Sequence, residues 1–241
     1  MTHNEAGNLP RLFASLPARM PTLVIDAQST DATVELARAH GAAVEVRPWA
    51  GFVATRCYAL GRVQTPWSLM LDADEALDDK LHAALLAAAP SEATAGFRLP
   101  RTTFFCGRPI GGCGWGDDRP LRLFRTARAQ LVARPASGGA AELHEAWEVD
   151  GAVGELAGTI LHHSYPTMRS YRVKFARYTA IEAAGLHFNL ASLTRTAARA
   201  AVRAPWLYIG RGGWRDGWRG AFIALASAAY PVVAVLKSRR R

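Results

Sequence analysis

Short apolar runs alternate with helix-length segments through the first ninety residues, and this alternation restricts the chain to an α/β architecture. Thr22–Asp26 reads as a strand that ends on a carboxylate. Ser29, Thr30 and Asp31 then supply N-cap chemistry for a helix over Ala32–His40, which Gly41 stops. Ala43–Val46 reads as a second strand, Phe52–Arg62 as a helix, Trp67–Leu71 as a third strand after the breaker Pro66, and Leu77–Ala89 as a helix. Strands separated by helices of about ten residues imply a parallel, doubly wound sheet, whose ligands bind beyond the carboxyl ends of its strands. Asp26 and Asp72 both stand at such ends and are expected to face one crevice.

The stretch "SLMLDADE", Ser68–Glu75, places three carboxylates in four residues after a buried run. Such carboxylates repel one another unless a cation or protons relieve them. Two readings stay open here, the acidic first turn of a helix and a divalent metal site. From Gly96 the pattern shifts to short strands, Gly96–Leu99, Thr102–Phe105, Leu121–Arg125 and Ile160–His163. Gly-rich turns separate them, and a mobile loop is expected around Gly111–Asp118. Helices are expected over Thr167–Leu186 and Leu190–Val202.

The 241 residues, half of them hydrophobic, are enough for one domain or for one domain with an appendage. Cys57, Cys106 and Cys113 form no CxxC pair, which fits a reducing cytosolic setting and argues against zinc. "MTHNEAGNLP" carries no apolar leader. The net charge of +9 is localised: residues 195–241 hold ten Lys/Arg and one acid, Asp216, while residues 1–194 balance. Arg195, Arg199 and Arg203 recur every four residues, as do Arg211, Arg215 and Arg219, and Trp206, Tyr208, Trp214 and Trp218 interleave with them. Arginines mixed with aromatic rings favour a lipid headgroup layer. The sixteen-residue apolar run Ala221–Leu236, interrupted by Pro231, is shorter than the roughly 20 residues that span a bilayer. It is expected to lie in or dip into the interface, with "KSRRR" as a further anionic-lipid anchor; the bland reading is a core-packing helix with a solvated basic face. An apolar run beside the basic tail argues against nucleic acid as its partner.

Taken in order, "THNEAGNL", "IDAQSTDATVELA", "RPWAGFVATRCYAL", "WSLMLDADE", "DDRPLRLFR", "LHE", "LHHSY" and "GGWRDGWRGAFIALASAAYPVV" resemble the family 2 glycosyltransferases of the GT-A fold. The nearest subgroup is that of small enzymes acting on lipopolysaccharide core or related cell-envelope glycans. The resemblance implies a Rossmann-like, mostly parallel sheet with a helical membrane-associated tail, divided as 1–188 (transferase domain) and 189–241 (tail). It implies a nucleotide-sugar donor, a glycan or lipid-linked acceptor, an anionic membrane surface met through residues 195–241, and a cytoplasmic position on the inner membrane face. Mg²⁺ or Mn²⁺ would neutralise the diphosphate leaving group, on Asp72 and Asp74, with His162 completing the metal shell or touching phosphate. Donor contacts are implied for Glu5, Asp26 (to the base), Asp31, Arg56, Asp72 and Arg122, although Cys57 replaces the asparagine usual beside Arg56. Glu145 in "LHE" is the implied general base, with Asp118 the second choice. The family's first strand should precede Asn4-Glu5, where Met1-Thr2-His3 stands. The expectation is a natural start further upstream and greater stability for a longer chain, the alternative being a damaged copy. An inactive relative that keeps only the donor pocket and the tail is the alternative.

Overall fold

The computed structural model describes residues 1–133 and 145–239. The chain divides into two compact units, one built from residues 1–101, 119–133 and 145–162, the other from 102–118 and 163–239. In chain order the elements are α1 (Leu9–Ser15), β1 (Leu23–Asp26), α2 (Thr33–Ala39), β2 (Ala43–Val46), α3 (Phe52–Arg62), β3 (Trp67–Leu69), β4 (Glu75–Leu77), α4 (Asp79–Ala87), β5 (Thr94–Arg98), β6 (Arg101–Phe105), β7 (Arg108–Pro109) and β8 (Leu121–Arg125). They continue with β9 (Ala129–Ala133), β10 (Glu145–Val149), β11 (Ala152–Glu155), β12 (Ile160–Tyr165), α5 (Met168–Ala184), α6 (Leu190–Pro205) and α7 (Gly217–Ser238).

In the first unit β1 and β2 pair in parallel, from Leu23 opposite Ala43 to Asp26 opposite Val46. Thr2 adds a single parallel bridge to Asp26. The third strand departs from the expected parallel order. β3 pairs antiparallel with β8 in a sheet ordered β11–β5–β8–β3, in which only β11–β5 is parallel. Local periodicity announces a strand but not its partner, and β8 arrives from more than fifty residues downstream. β9 and β10 form an antiparallel ribbon whose Trp147 packs on Leu121 and Phe124.

Helix α1 was not anticipated. It buries Leu9, Leu12 and Phe13, spaced i, i+3, i+4, against Val24, Ala37, Ala42 and Ala73. α4 starts at Asp79 rather than Leu77, because Glu75–Leu77 is a wholly buried strand paired with Ile160–His162. Asp78 caps the helix by accepting from Leu81 N at 2.7 Å, and the same oxygen accepts from Thr159 N at 3.0 Å.

In the second unit α5 and α6 pack on α7, and Phe105, Ile110, Cys113, Leu207, Ile223 and Ala224 form the core. The 111–118 segment, expected to be mobile, is fastened down. Asp216 accepts from Gly111 N (3.2 Å) and Gly112 N (2.8 Å), Cys113 N donates to Arg211 O (2.9 Å), and Arg211 pairs with Asp117 (2.7 Å). The approach is close enough that a Cβ on Gly112 would lie 2.6 Å from Gly212 O. α7 runs unbroken through Pro231 for 22 residues, about 33 Å at the usual rise. The sixteen-residue length argument against spanning a bilayer therefore does not hold. By length and composition the stretch Gly213–Ser238 could cross a membrane, yet a third of its most apolar window is buried within the protein.

Gly158 adopts φ +97°, and a Cβ there would collide with Leu81 N and lie 2.6 Å from the Asp78 carboxylate. Gly158→Ala is therefore expected to lower unfolding stability by about 2–4 kcal/mol, through left-handed strain and loss of the cap. Equilibrium urea unfolding checks this.

Candidate active site

The carboxyl ends of β1 and β2 open into a pocket of about 210 Å³ lined by Ile25, Asp26, Ala27, Arg47, Pro48, Trp49, Ala50, Ala54, Thr55 and Tyr58. Its walls are mainly apolar and aromatic. Trp49 is 43% exposed and meets Phe52 edge-on at 4.8 Å. The Arg47 guanidinium lies 4.0 Å over the Tyr58 ring, whose hydroxyl donates to Glu45 at 2.6 Å. Such a slot suits a flat heteroaromatic ring.

Asp26 lines this pocket, but its residue surface is 0% exposed. Its carboxylate accepts from Thr2 Oγ1, Ser29 Oγ and Ser29 N, so the side chain braces the loop after β1 from within. Asp31 also serves that loop, accepting from Ala6 N and from Thr33 N and Oγ1. The Thr33 hydroxyl bond chiefly holds its carboxyl below the usual range. Glu5 accepts from Asn8 Nδ2 at 2.7 Å while its own N–H donates to Thr33 Oγ1. The Asp26 and Asp31 carboxylates and the Glu5 N–H thus stitch the 2–8 segment to the 26–33 loop.

The acidic cluster resolves into a ladder of ion pairs. Arg56, on α3 with the pocket residues Ala54, Thr55 and Tyr58, donates to Asp72 Oδ1 at 3.0 Å. Arg122, from β8, reaches both Asp72 Oδ2 (2.9 Å) and Glu75 Oε1 (2.8 Å). Arg101 reaches Glu75 Oε1 at 2.9 Å. Glu75 is 1% exposed. Its second oxygen accepts from Asp72 N (2.9 Å), and Glu75 N donates to Asp72 O (3.0 Å). The acidic helix turn is thereby corrected: Glu75 is a buried counter-charge in a strand. Burial pushes the Asp72 carboxyl up, but Arg122 and Arg56 outweigh it and hold the group well below the usual carboxylate range.

Asp74 meets His162 Nε2 at 3.4 Å, both side chains being largely buried. Among the described residues no three His, Cys, Asp or Glu side chains gather into a metal cage. Of the expected trio, the fold brings Asp74 and His162 together and commits Asp72 to two guanidiniums. One carboxylate and one imidazole are suitable ligands for a divalent ion whose other positions are filled by phosphate oxygens. The backbone of Glu145 opens β10 opposite Ala133; its side chain, like His144, lies outside the described residues. Asp118 belongs to the second unit, beside Asp117. Arg47, Trp49 and Tyr58 sit within the "RPWAGFVATRCYAL" stretch, in which only Arg56 had been singled out. Arg101 carries no local signal, because its partner is 26 residues away.

This architecture is the GT-A fold. Residues 1–108 match the family model described as Glycosyl transferase family 2. An uncharacterized glycosyltransferase of Rickettsia bellii is 38% identical over 82 residues, 34% of this chain and 28% of that relative. One from Mycobacterium bovis is 37% identical over 75 residues, 31% of this chain and 34% of the relative. The aligned regions thus span about a third or less of those relatives' lengths. A mannosyltransferase from Pyrobaculum calidifontis, in complex with GDP-Man and Mn²⁺, superposes with a TM-score of 0.52 at 14% identity. That likeness covers 99% of this chain and 85% of the other.

Because Asp72 titrates below its unfolded value of 3.8, its ion pairs contribute stability that is present above that pH and lost as pH falls further. Asp72→Asn should flatten the acid limb of the stability–pH curve below about pH 5, seen by urea unfolding at stepped pH. Arg122→Met, which strips the buried Glu75 of a partner, should destabilise by about 3–5 kcal/mol, read in the same way.

Proposed function

We propose that the chain is an inverting glycosyltransferase of family 2. It would move a sugar from a nucleotide-diphosphate donor to a lipopolysaccharide-core or other cell-envelope glycan or lipid-linked acceptor. The observation that carries this reading is that one helix, α3, lines the aromatic pocket with Ala54, Thr55 and Tyr58 and holds Asp72 through Arg56. The nucleobase sits against Trp49 and Tyr58, over the loop that Glu5, Asp26 and Asp31 brace. Asp72 faces the ribose and phosphates, and Arg56 and Arg122 are drawn on by the diphosphate, with Arg122 suited to bidentate contact.

Asp74 and His162 would hold Mg²⁺ or Mn²⁺, which when bound would supply Lewis-acid neutralisation of the departing diphosphate. Glu145 is the base. It takes the proton of the acceptor hydroxyl as that oxygen bonds to the anomeric carbon and the bond to the diphosphate oxygen breaks with inversion. Asp118, the second candidate, is the neighbour of a residue held by Arg211. The transferase chemistry is assigned to residues 1–188. Residues 195–241 seat the protein on an anionic membrane surface at the cytoplasmic face, and their exposed Trp206, Trp214 and Trp218 support that seat.

A screen of sugar nucleotides with Mn²⁺ or Mg²⁺, following release of nucleoside diphosphate, tests the assignment. Turnover should need the ion and should fall at least about a hundredfold in Asp74→Ala at unchanged fold, in line with lost transition-state charge stabilisation. Binding of donor without any release would identify the inactive relative instead. Trp49→Ala should weaken nucleoside diphosphate binding about tenfold by calorimetry, the usual worth of one base–aromatic stack.

A further inference from the structure

The second unit carries three arginine–tryptophan pairs: Arg211 lies 5.7 Å from the Trp206 ring, Arg215 5.3 Å from Trp214 and Arg219 4.7 Å from Trp218. Each indole is more than half exposed, and Ile209 beside them is 69% exposed. The pairs are not equivalent. Arg219 is committed to the fold, donating to Phe105 O and Cys106 O. Arg211 is committed to an acid, and that acid, Asp117, belongs to the loop that Asp216 and the Arg211 backbone fasten at its other end. Asp117 is 80% exposed and Arg211 38%. An ion pair so open to water is held weakly and exchanges readily for another anion. Guanidinium prefers a phosphate to a single carboxylate oxygen, because it can grip two phosphate oxygens at once.

We propose that Arg211 is an exchangeable contact, which anionic lipid phosphate takes from Asp117 when the Trp206–Trp218 turn enters the headgroup layer. This rests on the membrane reading above and deepens it. The indoles enter the interface, Arg211 and Arg215 meet lipid phosphates, and Asp117 is released while the Gly111–Cys113 end of the loop stays fastened. Charge selects the partner: the exposed cations call for an anionic surface, and the indoles distinguish a lipid surface from free phosphate.

Flotation of the full chain with phosphatidylglycerol-containing vesicles and with pure phosphatidylcholine vesicles tests this. Arg211→Gln should weaken binding to the anionic vesicles about fivefold, the usual contribution of one basic residue near such a surface. Asp117→Asn should strengthen it, because the competitor is gone, and neither change should alter binding to phosphatidylcholine. Hydrogen exchange at residues 116 and 117 should speed up on anionic vesicles in the wild type and already be fast in Asp117→Asn without them. Near-ultraviolet circular dichroism verifies that both variants are folded. Wild type that floats while both variants match it overturns the exchange but leaves the membrane reading standing. Wild type that ignores anionic vesicles overturns both, and equal acceleration of exchange at residues 116 and 117 by inorganic phosphate without vesicles would reassign the contact to a soluble anion and overturn it too.

Discussion

A carboxylate with almost no exposed surface is the constraint on which the first unit depends. Glu75 is tolerated in the interior because Arg122, Arg101 and the Asp72 amide satisfy both its oxygens. Those same bonds draw together a strand, β8, the turn of the acidic cluster and the start of β6. Such buried networks act as a unit, since loss of one partner strands a desolvated charge on another. The three adjacent acids therefore do three jobs: Glu75 locks the turn, Asp72 is held between two guanidiniums, and Asp74 meets an imidazole.

The aromatic pocket and this ladder are joined by the geometry of one helix. Successive side chains on α3 point about 100° apart, so Thr55 faces the pocket while its neighbour Arg56 turns to Asp72. Two sites of different character, one apolar and flat, the other ionic, are thus held in fixed relation by a single rigid element. Under the proposed function the donor's ring takes the first site and its diphosphate the second.

The second unit is organised by close backbone approach. Gly112, Gly213 and Gly220 admit neighbours that any side chain would exclude. Asp216, the only acid after residue 195, is spent on two loop amides rather than on the surrounding arginines. Arg211 takes its acid from outside the tail, Asp117, next to the exposed indoles.

Much of the framework follows from local pattern alone. The boundaries of β2, α3 and β8 fall where apolar periodicity and breakers put them, because burial of one face imposes a period of 2 or 3.6 on any chain that folds. The ordered motifs likewise point to Asp26, Arg56, Asp72, Asp74, Arg122 and His162. What these residues touch is non-local and had to come from the tertiary structure. Only the folded chain turns Asp26 inward onto Ser29 and Thr2, pairs β3 antiparallel with β8, brings Arg101 to Glu75 and fastens the 111–118 loop to Arg211 and Asp216. A side chain's partner is chosen by proximity in space and by the cost of leaving charge unpaired away from water. Neither quantity is written in the spacing of residues along the chain.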